Sequence, residues 1–111
     1  MTLAMVEDLF AKMRADGSMD VDGELLWGYF FTDPDKAKLR PAAQELERLG
    51  YRFVSLYVTA DKGTHFLHVE RIERHTPQSL HEANQAFQAL AERHGLQAYD
   101  GMDVGPVEAD G

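Results

Sequence analysis

The residues with the most chemical capacity are the five histidines, His65, His68, His75, His81 and His94. His65 and His68 are three apart on a predicted strand, so they point to opposite faces and do not readily share one metal ion. His68 and Glu70 share a face. They could touch one ion or work as an acid–base pair, but two ligands do not make a metal site. No helical His-Glu-x-x-His pattern is present. His94 falls at the end of a helical stripe just before Gly95, where the helix dipole favours a cation. The serines, Ser18, Ser55 and Ser79, lie outside any Gly-x-Ser-x-Gly elbow. Gly101 and Gly105 are followed by no predicted helix, so they build no phosphate-cradling loop. The carboxylates are dispersed. The sequence therefore predicts a protein without catalytic residues, cofactor or metal, and not an enzyme.

Charge is the stronger signal. The chain has 111 residues, with 11 basic and 19 acidic ones, for a net charge of −8. The first 23 residues carry −3, residues 24–99 carry −1, and residues 100–111 carry four acids and no base. An acidic surface repels phosphate backbones, which argues against direct nucleic-acid binding, and it suits a basic protein partner. Two acidic tracts stand out as protein-binding candidates. One is the Gly-bounded loop with Asp20 and Asp22. The other is Tyr99-Asp100-Gly101 with Asp103, where Asp-Gly is a natural turn former. There are no cysteines, which fits a cytoplasmic protein. No apolar run approaches the roughly 20 residues of a membrane span, and the N-terminus shows no signal-peptide pattern.

The elements that must position these residues follow from periodicity. Leu3, Val6, Leu9, Phe10 and Met13 form one helical stripe, closed by Gly17. Residues 24–32 are aromatic and almost continuously apolar, as a strand covered on both faces is. Asp33-Pro34 predicts an N-cap and first-turn proline for a helix to residue 49, within which Pro41 predicts either a kink or the true start. Residues 51–60 and 64–74 alternate as strands about the turn Asp61-Lys62-Gly63. Thr76-Pro77 opens a third helix, 77–94, and 96–104 is a short last strand. The expected organisation is one domain: residues 1–23 as helix and acidic loop, 24–105 as core, and 106–111 as tail.

The order is helix, then β-α-β-β-α-β. It predicts an α+β fold of the ferredoxin-like kind: a four-stranded antiparallel sheet with two helices on one face and an extra N-terminal helix. The second sheet face is then the informative surface. Trp27, Tyr29 and Phe31 are expected there, joined by Phe53 and Tyr57 from the second strand and Phe66 and His68 from the third. Such a face can stack RNA bases, but the basic signature of RNA-binding sheets is missing. Burial in a homodimer, or use as a small-ligand surface, is the alternative.

Five short segments carry a resemblance over residues 24–101: Trp27-Gly28-Tyr29-Phe30-Phe31, Leu49-Gly50-Tyr51, Phe66-Leu67-His68-Val69-Glu70, the helix after Thr76-Pro77, and Tyr99-Asp100-Gly101. In this order and spacing they resemble the regulator of ribonuclease activity B family, protein inhibitors of bacterial ribonuclease E. The resemblance implies the same ferredoxin-like fold. It also implies a non-catalytic role, binding ribonuclease E and restraining RNA decay. Ribonuclease E has basic RNA-binding segments, which an acidic regulator would meet quickly. The sequence departs from the best-known members in lacking a long acidic C-terminal extension and a tryptophan after Gly101.

Overall fold

The apolar run Leu25–Asp33 becomes the strand β1, and its alternation decides which surfaces are hidden. The structure, a computed structural model, describes residues 2–61 and 63–107. Lys62 of the expected turn and residues 108–111 of the expected tail lie outside it. In chain order the elements are α1 (Leu3–Asp16), β1, α2 (Lys36–Arg48), β2 (Arg52–Val58), β3 (His65–Glu73), α3 (Pro77–Arg93) and β4 (Ala98–Gly105). The sheet order is β2-β3-β1-β4 and every pairing is antiparallel. This is the α+β, ferredoxin-like arrangement with an added N-terminal helix that the sequence predicts.

Local chemistry sets the helix ends. Thr2 caps α1 by accepting the Met5 N–H at 3.2 Å, and Gly17, left-handed at φ 71°, closes it. At α3, Thr76 and Ser79 form a reciprocal capping box, 3.1 Å and 2.9 Å, with Pro77 in the first turn. The cap of α2 is Asp35, which accepts the Ala37 N–H at 2.9 Å, and not Asp33 as expected. Asp33 is instead the buried last residue of β1. Its carboxylate accepts the N–H of Asp35 at 2.8 Å and of Gln97 at 2.9 Å. It thereby ties the turn into α2 to the connection into β4. Helix α2 starts well before Pro41 and runs through it. Pro41 and Ala37 are both exposed, so water can satisfy the carbonyl that the missing N–H leaves free.

The register overturns two expectations. Tyr29 lies opposite Val69 and Met102, Phe31 opposite Leu67 and Tyr99, and Trp27 opposite Arg71 and Val104. Cross-strand partners share a face, so the three rings join the Leu67–Val69 row under the helices rather than the His68 row. All three are completely buried. Phe87 of α3 packs on Tyr29 at 4.4 Å and on Phe31 at 5.7 Å between ring centroids. The extra helix α1 is on this same side, beside α3. Its Phe10 stacks on Trp27 at 6.1 Å, with Val6 and Met13 also buried. The sheet thus has three helices on one face and an open second face, and β1 is not equally covered on both. Between α2 and α3, Glu45 accepts from Arg93 at 3.0 Å and meets His94 Nε2 at 2.8 Å.

This placement has a direct energetic consequence. Trp27→Ala should destabilise the protein by about 3–5 kcal/mol, as a buried large-to-small change does. Urea unfolding followed by circular dichroism measures it. A loss below about 1 kcal/mol would place the ring at the surface instead.

Candidate functional site

The residues expected to share one aromatic face divide between two. Trp27 and Tyr29 are in the core. Tyr57, Phe66 and His68 lie on the open face, where Tyr57 stacks on Phe66 at 5.4 Å and 7° between planes. Phe53 pairs with Val69 and so belongs to the helix side, yet it is 42% exposed because β2 is an edge strand. A bulge at Val54 shifts the alternation between Phe53 and Ser55. Phe30, which the expected aromatic face did not include, stacks on His68 at 4.3 Å and 16°.

The open face carries charge as well as rings. Glu70 is almost fully buried against Arg52, which forms an ion pair with it. The His68 ring and the Asp103 carboxylate both overhang Gly28, and a Cβ there would collide with each. They line a hollow of about 190 Å³ with Leu26, Glu70 and Val104. A larger hollow of about 540 Å³ lies at the start of β2, between Arg52, Glu70, Ile72 and Val107. His68 and Glu70 are therefore near neighbours on one face, as expected, but Glu70 is engaged with Arg52. Among the described residues no three His, Asp or Glu side chains converge to hold a metal ion.

The two acidic tracts differ in character. In the α1–β1 loop, Asp22 receives both Arg14 guanidinium nitrogens at 2.7 Å and 3.2 Å. That contact, above all its hydrogen bonds, holds the Asp22 carboxyl below its ordinary range. Asp20 is folded back onto its own turn, accepting the Asp22 N–H at 3.2 Å. The second tract is the free edge of the sheet. Asp100 is the extra residue of a bulge, because Phe30 pairs with Gly101 and Phe31 with Tyr99. Gly101 takes φ 128°, a conformation that only glycine adopts without strain. Asp100 and Asp103 are exposed, and among the described residues neither makes an ion pair. Tyr99 is the anchor behind them. Its hydroxyl donates to Asn84 Oδ1 at 2.6 Å, and burial pushes its phenol well above the ordinary range. A groove of about 270 Å³ runs between this edge and α3, lined by Gln85, Gln88, Asp100, Gly101 and Met102. The loop and the bulge sit at opposite ends of β4, since Gly105 pairs with Leu26 and Tyr99 with Phe31.

Sequence reasoning missed one polar cluster. Tyr29 OH donates to Glu73 Oε1 at 2.6 Å and lies 3.1 Å from His75 Nε2. His75 Nε2 is 3.1 Å from Glu73 Oε1 and its Nδ1 is 2.9 Å from Ser79 Oγ. Arg71 closes the cluster on Glu73 Oε2 at 2.6 Å and lies over the Tyr51 ring at 4.2 Å. Ser79, His75 and Glu73 contact one another in series like a nucleophile, base and orienting acid. However, Ser79 Oγ also donates to the Thr76 carbonyl and accepts the Thr76 N–H as part of the cap. Trp27 meets the His75 ring edge-on at 5.1 Å. The cluster therefore binds β1, β3 and α3 together. Its only sequence trace was the alternation of Arg71, Glu73 and His75 at the end of the third predicted strand.

The four-stranded sheet leaves one face uncovered by helices and two edges, β2 and β4, unpaired among the described residues. The family model for regulator of ribonuclease activity B matches residues 4–104. The chain belongs to that family, whose named role is regulation of a ribonuclease. No curated protein matches the chain. Among the described residues no helix is long and apolar enough to cross a membrane.

The polar cluster makes stability depend on acid. Burial alone would raise the Glu73 pKa, but hydrogen bonds from His75, Tyr29 and Arg71 outweigh it and hold the carboxyl at about 2, against an ordinary 4.5. The folded value lies below the unfolded one, so the contribution is complete above about pH 4.5 and is lost as pH falls towards 2. Allowing for solvent screening, it amounts to about 1–2 kcal/mol. Glu73→Gln should remove that part of the pH dependence of urea unfolding. An unchanged slope between about pH 5 and pH 2 would show that Glu73 does not carry it.

Proposed function

We propose that the protein is a non-catalytic regulator that restrains ribonuclease E by binding it, and that the β4 edge holds a basic segment of that enzyme. Family membership over residues 4–104 supports the regulatory role. The observation that carries the placement is the bulge: it sets Asp100 outward from an edge strand, with Asp103 exposed on the same strand. Gly101 gives the backbone its turn there, and the Gln85–Gln88 side of the groove offers amide groups to a neighbouring chain. Asp20 and Asp22 contribute less, because Asp22 is engaged with Arg14.

The same surface disfavours RNA. The rings of the open face are bordered by the Glu70 and Asp103 carboxylates, which repel a phosphate backbone. Catalysis is disfavoured because His75 and Ser79 serve the fold and Glu70 is engaged with Arg52. The protein acts as one domain, in the cytoplasm, without cofactor.

Calorimetric titration against the basic region of ribonuclease E tests this at two salt concentrations. Binding should weaken as salt rises. The double change Asp100→Asn with Asp103→Asn should weaken it by about tenfold or less and flatten the salt dependence, as loss of exposed charges does. Unchanged affinity and salt slope in that variant would move the contact elsewhere.

A further inference from the structure

We infer that β2 pairs with β2 of a second copy of this chain, extending two four-stranded sheets into one of eight strands. The inference does not rest on the acidic-edge reading, because β2 and β4 are opposite edges of the sheet.

Three observations carry it. The first is exposed apolar surface concentrated on one edge. Among the described residues, Leu49, Phe53, Val54, Tyr57 and Val58 are large exposed hydrophobics on β2 or its lead-in, and Ile72 adds to them from β3. Natural edge strands are normally blunted by lysine, proline or an inward charge. β2 reads Arg-Phe-Val-Ser-Leu-Tyr-Val, and its one charge, Arg52, is paired with Glu70. The bulge at Val54 interrupts its first half only.

The second is the direction of the backbone groups. Thr59 N–H donates to Thr64 O at 2.8 Å, beside the pair Val58–His65. In an antiparallel ladder, hydrogen-bonded and non-hydrogen-bonded pairs alternate. Ser55 and Tyr57 therefore bond to β3, while Leu56 and Val58 direct their N–H and C=O groups away from the sheet. Leu56 and Val58 can satisfy each other across a two-fold axis through Tyr57. That register sets Leu56 against Val58 of the second copy and brings the two Tyr57–Phe66 stacks together on the open face.

The third is charge, and it selects the occupant. Residues 49–70 hold two acids and two bases, a net charge of zero in a chain of −8. A charged partner gains nothing from this edge. Two copies approaching by their acidic regions repel, but here they do not. A two-fold contact is self-complementary by construction. It leaves both acidic β4 edges at the far ends of the joint sheet, so the dimer presents two acidic edges to a partner.

Sedimentation equilibrium of the full chain tests this, with circular dichroism to confirm folding. The wild-type protein should be a reversible dimer at micromolar concentration. Val58→Pro removes an N–H that β3 does not use, at an edge position that tolerates proline, and should give a monomer. Tyr57→Lys places like charges on the two-fold axis, leaves the backbone intact and should do the same, so it decides the matter should Val58→Pro fail to fold. The Asp100→Asn, Asp103→Asn protein should remain dimeric, which separates this result from the ribonuclease contact. A wild-type monomer at all concentrations overturns the inference. So does a dimer that Tyr57→Lys leaves intact, or a monomer whose β2 amides become protected only when ribonuclease E is added.

Discussion

β1 is hydrogen-bonded on both sides and turns three of its four rings, Trp27, Tyr29 and Phe31, into the helix layer. Every other feature follows from that choice of face. A strand has period two, so a one-residue shift would carry the rings to solvent and Leu26, Gly28 and Phe30 inward. With the rings inside, Phe87 of α3 and Phe10 of α1 have surfaces to pack on, and α1 is drawn to the same side as α3. Leu26, Gly28, Phe30 and Thr32 are left for the open face. Gly28 then leaves room for His68 and Asp103 to lean over the sheet.

Burying Tyr29 creates a demand that the polar cluster meets. A phenol hydroxyl inside a core needs a partner, and Glu73 supplies it. Glu73 in turn needs donors, which Arg71 and His75 provide. Burial, and then the neighbouring carboxylate, push the Tyr29 phenol well above its ordinary range, so it stays a donor at any physiological pH. Trp27 shows the opposite outcome. Its Nε1 has no hydrogen-bond partner among the described residues, a cost that the packing of the ring has to exceed. Asp33 works as the cluster does, at the other end of β1, using one carboxylate to hold two connections.

Element order and type were legible in the sequence because each element has its own punctuation. Gly17 and Thr76-Pro77 stand where helices end and begin. The face of β1 was not legible in the same way, since both of its rows are apolar. The discriminating fact lay on its neighbours. Leu67 and Val69 at the centre of β3 are apolar, whereas their neighbours His68 and Glu70 on the other face are not, and Trp27, Tyr29 and Phe31 belong with the former. The bulges at Val54 and Asp100 were also hidden, because a bulge depends on which strand lies opposite. Among the candidate site residues, Asp100, Gly101 and Asp103 fall together on β4 near a groove. Tyr99 serves as their half-buried anchor, and Asp20 and Asp22 lie towards the other end of the strand.

The fold therefore hides Trp27, Tyr29 and Phe31 and exposes edges of contrasting character: an apolar one at β2 and an acidic one at β4. We propose the acidic edge as the surface that meets a basic segment of the ribonuclease, since opposite charges favour that encounter. Hydrogen exchange of the free protein and of its mixture with ribonuclease E, followed residue by residue, measures this most directly. The account predicts new protection in residues 98–105 and along the facing turns of α3, with the α1–β1 loop little changed. Protection confined to the open face or to the α1–β1 loop, with residues 98–105 unchanged, would contradict it.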